Sequence, residues 1–245
     1  MEYFLPVLFL FVSFFYSSVG LGGGSSYTAI MAIAGINYQL IPTTSLTLNL
    51  GVTFIGMINF WRAGYSRFNL VAPFLITSIP MSYLAGSIQL PELVFQVILT
   101  VTLLLVVSRI YFFDRLDITY ELSNIQKWLL AIFLGSFLGF IAGAVGIGGG
   151  IYLVPLIIMF GLGSTKEASA AGAIFICSNS FAGLIPRLQS GTYDIKFITP
   201  LVFAVLVGGF AGSYFGSVRF ESKFIQKIMG GVIILAIIFL IQRIV

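Results

Sequence analysis

Two stretches decide how this chain is read: Gly20-Leu21-Gly22-Gly23-Gly24-Ser25-Ser26 and Gly146-Ile147-Gly148-Gly149-Gly150-Ile151-Tyr152. They are one motif written twice, 126 positions apart. Each opens a short apolar run, Ser25–Ile36 and Ile151–Leu162. A run of about twelve residues makes roughly 18 Å of helix, well short of the length a full membrane span needs. Working outward, Gly35 meets Gly161 at the same spacing. At a spacing of 127, Phe54 meets Phe181, Gly56 meets Gly183, Gly64 meets Gly191 and Pro73 meets Pro200. At 130, Ser87 and Gln96 meet Ser217 and Gln226. Short insertions between diverged copies explain the drift. The chain divides into a first repeat (1–113), a polar linker (114–127) and a second repeat (128–245).

The medium around these repeats follows from composition. Of 245 residues, 59% are hydrophobic and 8% charged; a soluble domain carries about 25% charged residues. So few charges cannot cover a surface facing water, so the chain is expected in a bilayer. Helices and closed barrels are the folds that satisfy their own backbone there. Barrel strands alternate apolar and polar residues, whereas Leu129–Val145 and Gly230–Ile241 are unbroken. The expected fold is an all-α polytopic membrane protein of two homologous halves, about five segments each. The first five are Phe4–Val19, Ser25–Ile36, Pro42–Trp61, Leu70–Ile88 and Leu93–Phe113. The second five are Trp128–Val145, Ile151–Leu162, Ala168–Ile185, Phe197–Val218 and Phe224–Ile244. Eight approach full span length and two are the short glycine-led helices.

The first segment has Glu2 and no basic residue ahead of it, so it is expected to be retained rather than cleaved as a signal. If all ten segments cross, the basic residues split 9 against 3; if the short ones re-enter, 8 against 4. The positive-inside rule favours the first arrangement. It makes the halves an inverted repeat and puts both termini outside the cytoplasm, in the cell (inner) membrane. The net charge of +4 then reflects orientation, not nucleic-acid binding. Trp61 and Trp128 suit an aromatic belt. Nothing in the sequence sets an oligomeric state.

Repeated, interrupted helices are a feature of secondary transporters, whose substrates bind near the midplane at the repeat interface. Glycine permits a sharp turn, and the helix start that follows presents free N–H donors and partial positive charge. Such an end is a ready anion site. Candidate ligands are the amides of Gly22, Gly23, Gly24 and Ser25 and of Gly148, Gly149, Gly150 and Ile151. Hydroxyls and amides of Ser25, Ser26, Thr44, Ser45, Asn49 and Asn179 can add side-chain bonds, with Ser25 and Ser26 also able to cap the helix. Tight packing is the competing use of glycine in membranes, and it suits the pair Gly212 and Gly216 better.

No carboxylate falls at a segment centre, where proton or sodium relays are usually built. Glu167 and Asp194 come nearest, and both suit an interfacial or capping role. Arg187 and Arg62 end comparable helices, where each would either draw an anion into a vestibule or anchor the interface. Histidine is absent and Cys177 is the single cysteine, fitting a small packing residue. No metal, cofactor or catalytic group is expected, and an intramembrane enzyme is disfavoured.

The stretches GLGGGSSYTAIMAIAGI (20–36) and GAVGIGGGIYLVPLIIMFGLG (143–163) resemble the duplicated glycine motif of the TauE/SafE sulfite exporter family. The resemblance extends through Thr44-Ser45-Leu46 and Gly191–Asp194 and covers nearly the whole chain. It implies export of sulfite, sulfoacetate or a related small sulfur compound. The halves are unequal: Pro155 matches the family's proline but Ala29 stands in the first copy, and Ala170-Ala171-Gly172 replaces a second Thr-Ser pair. The first half also has Arg67 where the second has Asp194. The expected activity is transport of a small anion by alternating access of the two repeats, with the bilayer and the anion as partners. The alternatives are a passive anion channel, which the missing central carboxylates favour, and import of a related anion.

Overall fold

The computed structural model describes residues 4–112, 123–191, 193–218, 230–231, 233–235 and 237–242, and these are helical with no strand. In chain order the helices are α1 (Leu5–Ser18), α2 (Gly24–Ile33), α3 (Leu40–Arg62), α4 (Phe68–Ser87), α5 (Glu92–Phe112), α6 (Asn124–Val145), α7 (Gly150–Met159), α8 (Thr165–Gln189) and α9 (Ile195–Val218). A further apolar stretch, Ile233–Gln242, follows. Helices α3, α4, α6, α8 and α9 are long and apolar enough to cross a membrane. Of the eight segments expected at full length, α1 has only 14 residues. The two glycine-led helices are short as expected, with 10 residues each. Linker residues 114–122 lie outside the described residues, as do 224–229 of the last expected segment and Arg115, Arg219, Lys223, Lys227 and Arg243.

Local signals place the helix starts. Ser123 and Gln126 form a capping box that opens α6 four residues ahead of the expected Trp128. Ser164 and Glu167 form the same box at α8. Each hydroxyl accepts an otherwise orphaned N–H while the N3 side chain reaches back to the cap. Asp194 does comparable work at α9, where its Oδ1 accepts from the N–H groups of Lys196 and Phe197. The two acids nearest the spans therefore cap helices.

Polarity is turned inside out relative to a soluble protein. Ser45, Asn49, Thr53, Ser82, Asn179 and Ser180 are buried, whereas Phe11, Phe133, Phe203 and Val207 are exposed. Lipid accepts an exposed phenylalanine without cost. It offers no hydrogen bond to a serine or asparagine, so those side chains turn inward.

Glycine and small residues set how the helices cross. α1 runs parallel to α9: a methyl on Gly208 would stand 2.2 Å from the Leu10 carbonyl oxygen, and one on Gly212 2.0 Å from that of Phe14. α4 runs parallel to α6: Gly135, Gly139 and Gly143 lie on the backbone of Phe74, Ser78 and Ser82. The packing expected at Gly212 is thus present, with Gly208 as its neighbour; the contacts of Gly216 lie outside the described residues. At the centre α3 and α8 are antiparallel, with Gly56 over Ala173 and Gly183 over Leu46.

The bundle has two distinct ends. One gathers the starts of α4, α6 and α8 and the chain beyond α7. There Asn69, Lys127 and Leu162 line a groove of about 270 Å³, and Arg67 pairs with Glu167 at 3.1 Å. The other gathers the start of α3 and the ends of α4, α6 and α8, where Gln39, Leu90, Ala144 and Arg187 share a pocket. α6 passes from the first end to the second, and α7 carries the chain back.

Candidate functional site

The two glycine turns lie deep in the bundle and touch. All residues from Tyr16 to Ala29 and from Ile141 to Ile151 are buried. A methyl on Gly24 would stand 2.7 Å from the Ile147 carbonyl oxygen and 2.9 Å from that of Gly146. The contact is possible because no Cβ intervenes. Each helix after a turn starts from a left-handed glycine: Gly23 has φ 89° ahead of α2 and Gly149 has φ 70° ahead of α7. No other residue adopts that conformation cheaply, so the sharp reversal into each short helix depends on those two positions.

Asn49, on α3, stands between the turns. A methyl on Gly22 would meet its Oδ1 at 2.4 Å, one on Gly24 its Nδ2 at 2.4 Å, and one on Gly148 the same nitrogen at 3.1 Å. Nδ2 donates to the Gly146 carbonyl at 3.1 Å. Ser45, one helical turn earlier on α3, donates to the same carbonyl at 2.7 Å and to that of Gly24 at 3.4 Å. Thr28 also donates to the Gly24 carbonyl, at 2.9 Å. The Gly24 and Gly146 carbonyls are therefore supplied with donors, whereas the Oδ1 of Asn49 is buried without a partner.

The amides are in the opposite condition. Among the described residues, the N–H groups of Gly22, Gly23, Gly24 and Ser25 have no acceptor. In the second turn the N–H of Gly150 donates to Gly148 at 2.9 Å, while those of Gly148, Gly149 and Ile151 have none. Buried amides are almost always paired. This cluster of unpaired donors at two helix starts is a concentration of positive potential shielded from water.

The expected side chains divide. Ser45 and Asn49 join the two turns. Ser25 and Ser26 are at the turn, but neither caps α2, whose start has no side-chain cap. Their hydroxyls lie 3.0 Å and 2.9 Å from the Tyr16 hydroxyl on α1 instead. Thr44 is buried with its hydroxyl unpartnered, and no hydrogen bond ties it to either turn. Asn179 does not mirror Asn49: its Nδ2 donates to the Phe175 carbonyl of its own helix at 2.8 Å, and its Oδ1 is buried without a partner. Tyr16 carried no local signal, because its relation to Ser25 exists only once α1 and α2 fold back on each other. Arg62 is exposed, whereas Arg187 is buried at the end of α8. Arg187 donates from Nε at 3.3 Å and Nη2 at 2.8 Å to the Gly143 carbonyl, and from Nη2 at 2.9 Å to that of Ala144.

Residues 5–240 match the family described as sulfite exporter TauE/SafE. The chain is 32% identical over 229 residues to the "Probable membrane transporter protein y4hK" of Sinorhizobium fredii, covering 92% of each chain. It is 25% identical over 242 residues to the "Probable membrane transporter protein YjnA" of Bacillus subtilis, covering 93% of this chain and 94% of the relative. No solved structure matches.

Proposed function

The chain belongs to the TauE/SafE sulfite exporter family of membrane transporters, and on that premise we propose that it moves a small anion through the interface between two inverted repeats. The guest is a sulfur oxyanion or a short organosulfonate. It is held between the glycine turns by the amides of Gly22, Gly23, Gly24 and Ser25 from one repeat and of Gly148, Gly149 and Ile151 from the other. One observation carries this reading: the Gly24 and Gly146 carbonyls are hydrogen-bonded, while the amides of Gly22, Gly23, Gly24, Ser25, Gly148, Gly149 and Ile151 have no acceptor among the described residues. A buried cluster of donors without partners is what an anion satisfies. Asn49, Ser45 and the Ser25–Ser26–Tyr16 hydroxyls are placed to complete its shell, while Thr44 and Asn179 line the flanking interface.

Reciprocal packing supports the inverted repeat. α1 against α9 and α6 against α4 are the same pairing with the halves exchanged, and both are parallel. α3 and α8, counterparts in the two halves, are antiparallel. A two-fold axis that reverses helix direction lies in the membrane plane, as in inverted-repeat transporters. The extended glycine stretch plus its short helix then serves as a broken span, and all ten segments cross. Arg62, Arg67, Lys127 and Lys166 fall at the end that would face the cytoplasm, which leaves both termini outside it. The turns are buried and in contact, so this is an occluded arrangement. A solute reaches them only when one repeat rocks away from the other.

The test is a binding screen of purified protein against sulfite, sulfate, thiosulfate, sulfoacetate and acetate. The sulfur anions are expected to bind and acetate to bind weakly. Gly23→Val, which forces a β-branched residue to φ 89°, and Ser25→Leu are expected to abolish binding. Normal binding by both folded variants overturns the site.

A further inference from the structure

We propose that the groove where α4 and α6 begin is a binding site for an anionic phospholipid, with its phosphate at Lys127 and Asn69 and an acyl chain laid between the helices. The groove follows from how the two helices pack. Gly143, Gly139 and Gly135 recur every four residues on α6 and lie on the α4 backbone: methyls there would stand 2.1, 2.3 and 2.5 Å from the carbonyl oxygens of Ser82, Ser78 and Phe74. Continuing the same step towards the helix starts brings Ala131 and then Lys127 on α6, and Leu70 on α4. Side chains in place of bare backbone hold helices further apart. A groove of about 270 Å³ opens there, lined by Leu70 and Phe74 from α4 and by Lys127, Trp128 and Ala131 from α6. One turn deeper the helices are tied again, where the Thr77 hydroxyl donates to the Ile132 carbonyl at 3.1 Å. Leu162 forms the third wall; the chain there leans on α4, with a Gly163 methyl 3.1 Å from Leu70 Cδ2. A cavity of roughly 150 Å³ already takes a benzene ring, so this one takes several methylenes of an acyl chain.

The lining is polar only at the helix starts. Lys127 and Asn69 are exposed there, and the half-exposed Trp128 adds an indole N–H. Every other lining residue is apolar. A tryptophan beside a lysine sits at headgroup depth in a bilayer. No carboxylate lines the groove. Among the described residues Glu167 is the one carboxylate at this end of the bundle, and it is engaged by Arg67 and by the Ser164 N–H. The start of α4 has no side-chain cap, so its first-turn N–H groups add partial positive charge at the same place. A cation and amide donors at the head of an apolar trough match a ligand that is anionic at one end and hydrocarbon at the other. A small hydrated anion would gain nothing from the trough, and a zwitterionic lipid would set its own cation against Lys127.

The site does not depend on the transport reading, and its test needs no transported substrate. The chain has two tryptophans, Trp61 and Trp128, so Trp61→Phe leaves Trp128 as the reporter at the groove. Phosphatidylglycerol or phosphatidylcholine brominated on the acyl chain is titrated into the purified protein in neutral detergent, and quenching of Trp128 fluorescence is read. Phosphatidylglycerol is expected to reach half-quenching at a concentration about fivefold or more below that of phosphatidylcholine. Lys127→Gln and Asn69→Asp, both at exposed positions, should bring the two lipids to within about twofold of each other, and Lys127→Arg should keep the preference. Arg62→Gln removes an exposed cation at the same end that does not line the groove, and should also keep it. Glycerol phosphate, against sodium chloride of equal ionic strength, should not relieve the quenching. No quenching by either lipid, equal quenching by both, or a preference that survives Lys127→Gln overturns the proposal. So does an equal loss in Arg62→Gln, which would make the effect a diffuse surface charge, and so does displacement by glycerol phosphate, which would make the occupant a free phosphate.

Discussion

Gly24→Ala tests the contact between the repeats most directly. Gly24 does not have a positive φ, so alanine costs nothing in backbone strain. The added methyl, however, would lie 2.4 Å from Asn49 Nδ2, 2.7 Å from the Ile147 oxygen and 2.9 Å from the Gly146 oxygen. Two of those neighbours are backbone of the other repeat and cannot swing aside. The turns must separate by several tenths of an ångström. Overpacking of this kind costs about 1–3 kcal/mol. Stretching the Asn49 and Ser45 bonds to Gly146 adds roughly 0.5–1.5 kcal/mol for each bond lost. With both bonds lost the total is roughly 2–6 kcal/mol, which corresponds to a drop of roughly 4–24 °C in Tm for a chain of this size. The assay is thermal unfolding of the purified protein beside Gly56→Ala, whose methyl would meet only Ala173 Cβ at an ordinary 3.8 Å. Sulfur-anion affinity measured on the folded fraction is expected to fall at least about tenfold in Gly24→Ala, or 1.4 kcal/mol, and to hold in Gly56→Ala. If Gly24→Ala melts with the parent protein and binds as tightly, the turns are not in contact as described and the interface argument fails.

Further perturbations separate the members of the site. Asn49→Leu should weaken anion binding by about tenfold or more, whereas Asn179→Leu should change it by less than about threefold, because only Asn49 bonds across the turns; equal effects in titration calorimetry would contradict that asymmetry. Ser45→Ala leaves the Gly146 carbonyl with Asn49 as its one side-chain donor and is expected to cost about 1 kcal/mol, read as a lowered unfolding midpoint. Tyr16→Phe removes the partner of both Ser25 and Ser26 and should destabilise by about 1–2 kcal/mol, with a change in anion selectivity if those hydroxyls reach the guest. Arg67→Gln breaks an ion pair whose side chains are 61% and 22% exposed, where water screens the charges, so the variant should unfold at the parent's midpoint; a clear drop would mean that the pair bears on the closure of its end.

Much of this protein was legible in one dimension. The scarcity of charge sets the medium, since each charged side chain partitions against lipid regardless of its neighbours. The doubled Gly-x-Gly-Gly-Gly pattern marks both turns, because positive φ is a demand on one residue at a time, met at Gly23 and Gly149. The half-length of α2 and α7 follows from the same runs. Asn49 stands out for its cost of burial. Tertiary structure alone decided which partners these groups take. Asn49 and Ser45 reach a carbonyl about a hundred positions away, Ser25 and Ser26 turn to Tyr16 rather than to their own helix start, and Arg187 settles on the end of α6 while Arg62 faces outward. Asn179 looks equivalent to Asn49 in the sequence and is spent on its own helix. Hydrophobicity and backbone preference belong to single residues and short runs. A hydrogen-bond partner depends on which helices become neighbours, and here α1 pairs with α9 and α4 with α6 across the repeats.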